Sequence, residues 1–329
     1  MGLLKIYSFI TQILLLLFLA SLGQTQTVQK IDFYVSHSWT NSESQMEKGS
    51  LENPFFTLSD AFANIPKVAP NQIEVTIHVA PAIEPYILID FSFNFVSQYN
   101  DILTLSPWEN SPFCQNNENK CTRKPTIEMI DSTLNFLQLG QFNIRGLNIK
   151  GQKFALASME FQIIKMISLK DISFDSIETK DAFFKAEEAE NVVLTDIEIN
   201  SSSCDSIFEL LNTDVKSIVT LQNVTINADS EEARKKQGDS FFSFTSKAAE
   251  KQGKIEISKI SVKIKEGGSL RSFTRIQGFE EIKVEDLIVN KSSLTLDDSN
   301  AFLSIEDVDF VEMSKVDIKE NKITGNSSF

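Results

Sequence analysis

The residues able to do chemistry are few and scattered. Cys114 and Cys121 bracket a polar, Asn-rich segment, and such a pair reads as a disulfide-closed hairpin loop in an oxidising compartment. A metal site competes for the same two thiols, but a closed tetrahedral site takes about four ligands and no His lies near. Cys204 is left over and suits burial as a free thiol. Asp171 and Asp196 fall at equivalent places in neighbouring copies of a repeat. Stacked about 5 Å apart, two carboxylates would share a proton or hold a cation; otherwise they are corner residues. Arg123-Lys124-Pro125 is a basic triplet beside Cys121 with no acidic partner in view, and reads as solvated loop. Asp297-Asp298 reads as a polar turn. His37 and His78, the two histidines of the chain, stand apart from other chemistry-bearing residues and are expected at the surface or at strand edges. Four Asn-X-Ser/Thr sequons begin at Asn200, Asn223, Asn290 and Asn326, each an acceptor for N-glycosylation in an exported chain. The bend position of Asn223 suggests partial burial.

What must position these residues is a repeat. From about residue 140 one pattern recurs: apolar, any, apolar, two polar, apolar, any, apolar. It appears as Phe142-Asn143-Ile144-Arg145-Gly146-Leu147-Asn148-Ile149 and as Ile167-Ser168-Leu169-Lys170-Asp171-Ile172-Ser173-Phe174. Further copies start at Val192, Val219, Ile255, Ile282 and Val311, at intervals of 25, 25, 27, 36, 27 and 29 residues. Each copy alternates with period two on both sides of an interruption. That describes two short strands and a bend, because successive strand side chains face opposite ways. Between copies lies a third, Phe-rich strand signature, such as Asp181-Ala182-Phe183-Phe184 and Ser240-Phe241-Phe242-Ser243-Phe244. One such coil cannot bury its own apolar face. Stacking coil on coil in parallel does so and gives a solenoid with one interior. Twenty-six Phe against four Tyr fits a dry interior, where a Tyr hydroxyl needs a partner.

The bend position is filled by Gly146, Asp171, Asp196, Asn223, Lys259, Asp286 and Lys315. Gly, Asn and Asp tolerate the left-handed backbone of a tight corner, whereas the two Lys suggest looser corners. A leucine-rich repeat has an overlapping period but one strand per repeat and a fixed Asn after it, which this pattern lacks.

The segment Gly49-Ser50-Leu51-Glu52-Asn53-Pro54-Phe55-Phe56-Thr57-Leu58-Ser59-Asp60-Ala61-Phe62 resembles the opening of pectin-lyase-like right-handed parallel β-helix proteins. In that family a turn leads into a Thr-capped helix that plugs the solenoid end. Thr57 can cap, and Phe55, Leu58, Ala61, Phe62 and Ile65 form an apolar stripe. Ile73-Glu74-Val75-Thr76-Ile77-His78-Val79 then looks like the family's first coil. The whole is similar to large secreted or membrane-anchored β-helix proteins of ciliates. The resemblance implies the fold and not an activity, since the same fold carries lyases, hydrolases, adhesins and inert scaffolds.

An enzyme of this family would show itself on outward positions, either as stacked carboxylates holding calcium beside an Arg or Lys base or as Asp pairs flanking a glycosidic bond. On the second strand these positions run Asn143, Ser168, Val193, Thr220, Glu256, Lys283 and Glu312, and on the third Asn148, Ser173, Glu198, Thr225, Ser261, Ile288 and Asp317. No adjacent coils set carboxylates side by side on either row, so both read as solvated sheet.

Export is written at the start: Lys5, then Ile13-Leu14-Leu15-Leu16-Leu17-Phe18-Leu19, then small residues at Ser21 and Gly23. This is a signal peptide over residues 1–23, its apolar run well short of the 20 or so residues that span a bilayer. The mature chain, 24–329, divides into a cap and first coils (24–140) and regular repeats (141–329). Its charge, −14 for the whole chain and one unit more negative without Lys5, disfavours nucleic acid and anionic membrane as partners. The expected role is an extracellular or cell-surface scaffold for adhesion, structure or ligand binding, with extracellular glycans or surface proteins as partners and no cofactor. The alternatives are a carbohydrate-active enzyme with its site in the irregular loops, and a non-catalytic lectin. Lys322-Ile323-Thr324-Gly325-Asn326-Ser327-Ser328-Phe329 reads as the approach to another Phe-rich strand, so further coils and a membrane tether are expected beyond it.

Overall fold

The computed structural model describes residues 28–37, 47–69, 71–98, 100–109, 111, 123–151, 157–177, 182–200, 206–228, 240–248, 251–264, 272–290, 293–295, 302–319 and 322–324. Residues 1–23, the cysteines 114, 121 and 204, Asp297-Asp298 and Asn326 lie outside them.

The chain is nearly all-β, and among the described residues nineteen strands join in one parallel sheet while Ser293–Thr295 and Lys322–Thr324 pair in a second. The strands fall into three faces. Gln29–Val35, Ile73–Val79, Ile102–Pro107 and Gln141–Arg145 open the first face. Tyr86–Ile89, Thr126–Ile130 and Asn148–Gly151 open the second. Ser92–Val96 and Ser132–Leu137 open the third. From Ala157–Ile177 onward, long bent strands such as Phe184–Asn200 run over several faces without a break. Each strand pairs in parallel with its equivalent one coil away, an arrangement compatible with a β-helix-like solenoid.

The repeat read from the sequence sets the register. Phe142 pairs with Ile167, Ile167 with Val192, Val192 with Val219, Val219 with Ile255, Ile255 with Ile282 and Ile282 with Val311. The 36-residue interval therefore stacks like the others. Inward positions form one core in which Phe rings follow each other from coil to coil. Phe136 stacks on Phe161 at 5.3 Å, Phe184 on Phe208 at 6.2 Å and Phe273 on Phe302 at 5.6 Å between centroids. Full burial of each such side chain contributes about 1.5–3 kcal/mol.

The bend residues all adopt the left-handed conformation, with φ of 63° at Gly146 and 52–58° at Asp171, Asp196, Asn223, Lys259, Asp286 and Lys315. The looser corners expected at the two Lys are not found. Lys259 is fixed by paired coils on both sides and Lys315 by the coil of Glu281–Asn290 on one, and both take the same strained turn. A second file of left-handed residues, Gln138, Ile163 and Glu188, turns the chain from the third face to the first.

At the start of the chain the helix Leu58–Ala63 is capped by Thr57, whose Oγ1 accepts from the Asp60 amide at 3.1 Å. Phe55, Leu58, Ala61, Phe62 and Ile65 are all buried. Ile73–Val79 is not the first coil: Gln29–Val35 precedes it and pairs with it in parallel along its whole length. Among the described residues no helix is long and apolar enough to cross a membrane.

Candidate functional site

Register decides which outward side chains meet, and the rows on the first and second faces align as the repeat dictates. These side chains bond chiefly to each other. Across the rungs Lys30 pairs with Glu74 at 3.2 Å, Lys283 with Glu312 at 3.8 Å, and Lys254 with Glu281. On the second face Asn200 Nδ2 donates to Asp175 Oδ1 and Asn227 Nδ2 to Asn200 Oδ1, both at 3.0 Å, while Ser173 Oγ donates to Glu198 at 3.3 Å.

Asp171 and Asp196 do stack in one corner file, but each carboxylate has a partner of its own. Lys124 Nζ lies 2.6 Å from Asp171 Oδ1, and Asn223 Nδ2 donates to Asp196 Oδ1. The basic triplet therefore has the acidic partner it lacked in sequence, supplied 47 residues further on. No group of three His, Cys, Asp or Glu suited to a metal ion occurs among the described residues.

Neither histidine is isolated. His37 packs on the Tyr86 ring at 4.0 Å and on Phe56 at 5.4 Å, and burial pulls its imidazole below its ordinary value. Burial likewise pushes Tyr86 up to about 12, its hydroxyl donating to the Ala80 carbonyl at 2.9 Å. His78 Nε2 meets Asp32 Oδ1 at 2.9 Å, and its ring stacks on Tyr34 at 4.7 Å. The register sets Ser106 directly beside His78, and Asp32, on the rung of Thr76, reaches His78 diagonally, so a Ser, a His and an Asp are neighbours across three coils. They do not form a relay. Ser106 is fully buried and its Oγ makes no hydrogen bond among the described residues, whereas a nucleophile must reach both its base and the substrate.

The third face carries a feature that the repeat analysis missed. A groove of about 280 Å³ crosses three coils, with Asn94, Asn135 and Glu160 in one row and Val96, Leu137 and Gln162 in the next. Registers set Asn94 beside Asn135 and Asn135 beside Glu160, with Val96, Leu137 and Gln162 parallel to them. Asn135 Nδ2 donates to Asn94 Oδ1 at 2.8 Å, and Ser158 Oγ to Glu160 Oε1 at 3.2 Å. Asn135 Oδ1 is buried without a donor among the described residues. The groove thus offers acceptors and amides beside an apolar strip, with rungs about 4.8 Å apart. Its one carboxylate is Glu160. Glycoside hydrolysis takes two carboxyl groups flanking the scissile bond; the lining itself holds one, and Glu187 stands beside Gln162 on the next coil. The signal that could have found it was alternation in Ser92–Val96 and Ser132–Leu137, which needed their 41-residue stacking distance to become a surface.

Of the sequons, Asn223 stands at the corner and is exposed, contrary to the burial expected of the bend. Asn200 is the last residue of its strand and half-buried in the amide ladder. Asn290 ends Glu281–Asn290 and pairs with Lys319. The Cys114 to Cys121 loop lies outside the described residues. The chain matches no family model, no curated protein and no solved structure.

Proposed function

We propose that the chain is an exported right-handed parallel β-helix of the pectin-lyase-like kind, plugged at its start by the helix Leu58–Ala63, which serves as a non-enzymatic scaffold for adhesion, structure or ligand binding outside the cell. The observation that carries this reading is the groove on the third face, an amide-lined, singly charged surface suited to holding a ligand. The self-satisfied polar rows of the other two faces support it, because side chains bonded to one another are poorly free for acid–base work. Extracellular glycans and surface proteins are the partners that fit an acidic exterior.

The test is to incubate the chain secreted on its own leader with neutral and acidic polysaccharides, following new reducing ends and the absorbance of unsaturated products, with glycan-array binding alongside. Secretion and saturable binding without turnover support the scaffold. Turnover abolished by substituting residues in the Cys114 to Cys121 loop would replace it with the enzyme reading.

A further inference from the structure

Three sequon asparagines lie on strands, and the fold treats two of them, Asn200 and Asn223, differently. Asn200 sits between Asp175 and Asn227 of the adjacent coils and bonds to both, half-buried in a row of side chains spaced about 4.8 Å apart. A sugar on its Nδ2 has to enter that row and displace the ladder. Asn223 is exposed at the corner between the first and second faces, with φ of 54°. Its neighbours in the corner file are Asp196 on one side and the exposed Lys259 on the other, whose long side chain can move aside.

We propose that Asn223 carries an N-linked oligosaccharide in the folded chain and that Asn200 stays unmodified. The inference rests on export through a glycosylating pathway. In the transfer, the Asn223 Nδ2 forms a bond to the anomeric carbon of a lipid-diphosphate-linked oligosaccharide. The bond from that carbon to the phosphate oxygen breaks, the lipid diphosphate leaves with the electron pair, and the transferase accepts the displaced amide proton. One Nδ2–H remains on the linked amide. Transfer precedes stacking, because Val224 and Thr225 are afterwards paired on both sides, to Ile197 and Glu198 below and to Ile260 and Ser261 above. The finished coil then accommodates a glycan at the corner, whereas a chain modified at Asn200 cannot close the ladder and stays out of the folded, secreted pool.

The experiment expresses the full chain in a eukaryotic secretory host, once with its own first residues and once behind a host leader. Enzymatic deglycosylation in ¹⁸O-water then marks each formerly modified Asn for peptide mass spectrometry. The expected result is label on Asn223 in most molecules and on Asn200 in a small minority. Thr225→Val removes the acceptor signal while keeping a β-branched strand residue and should abolish one mobility step, whereas Ser202→Ala should change nothing. Secreted protein with Asn223 unlabelled, or with Asn200 labelled as fully as Asn223, overturns the inference. Retention of the own-leader chain while the host-leader chain is labelled at Asn223 overturns export alone.

Discussion

Lys259 and Lys263 lie on the same strand, both exposed, one at a left-handed corner and the other in extended backbone. Replacing each with Gly removes the same charge and a side chain of the same kind, so the difference isolates the corner. A left-handed conformation costs a non-Gly residue about 1–2 kcal/mol, and Gly returns about 0.5–1 kcal/mol of that through the greater entropy of the unfolded chain. Lys259→Gly should therefore stabilise by about 0.5–1 kcal/mol. Lys263→Gly carries only the entropic cost and should destabilise by about 0.5–1 kcal/mol. Urea titrations with an unchanged slope report these values as shifts in midpoint, and thermal midpoints should move by about 1–3 °C in opposite directions. Lys259→Asn, which tolerates the same backbone, should stabilise as well. Equal destabilisation by the two Gly variants would refute the shared corner geometry and restore a looser turn at Lys259.

Three further outcomes follow from burial and hydrogen bonding. Phe161→Ala removes a ring stacked on Phe136 and tilted against Phe142 and should cost about 3–5 kcal/mol by denaturant titration. Burial acts to raise the Glu188 carboxyl, but hydrogen bonds from the Thr213 hydroxyl and from the Thr213, Asp214 and Val215 amides hold it below its ordinary value. Its stabilisation is thus present above the unfolded-state carboxyl pKa and is lost as pH falls through the lower folded value; Glu188→Gln should flatten that part of the stability–pH curve. Ser106→Ala should be neutral or stabilising by about 1 kcal/mol, because it deletes a buried hydroxyl that has no partner among the described residues, and a hydrolytic activity lost with it would instead make Ser106 a nucleophile.

Much of the architecture was legible because period-two alternation is interrupted at a fixed place. Seven copies of that interruption, from Gly146 to Lys315, gave both the register and the corner. What misled was residue type at Lys259 and Lys315: local preference suggested another turn, and stacking on the neighbouring coils, two for Lys259 and one for Lys315, overrode it. Ile163 shows the same override more strongly, as a β-branched, half-exposed residue with φ of 57°, a position no propensity would mark. The groove and the Ser106, His78 and Asp32 grouping escaped notice because they belong to the early coils, where spacings of 28–46 residues hide the repeat. The ion pair of Lys124 with Asp171 escaped for the same reason, since Lys124 lies outside the regular copies.

Coil-on-coil register across the longest interval is the claim on which every surface assignment depends. Thr220 and Glu256 face each other on adjacent coils across the 36-residue step, at a separation of about 4.8 Å that a disulfide can bridge. In the chain carrying Thr220→Cys and Glu256→Cys, mild oxidation followed by peptide mapping should yield one peptide linked through positions 220 and 256. The shifted pair Thr220→Cys and Ser258→Cys should stay unlinked. Preferential linkage of the shifted pair would contradict the register and with it the faces, the corner files and the groove.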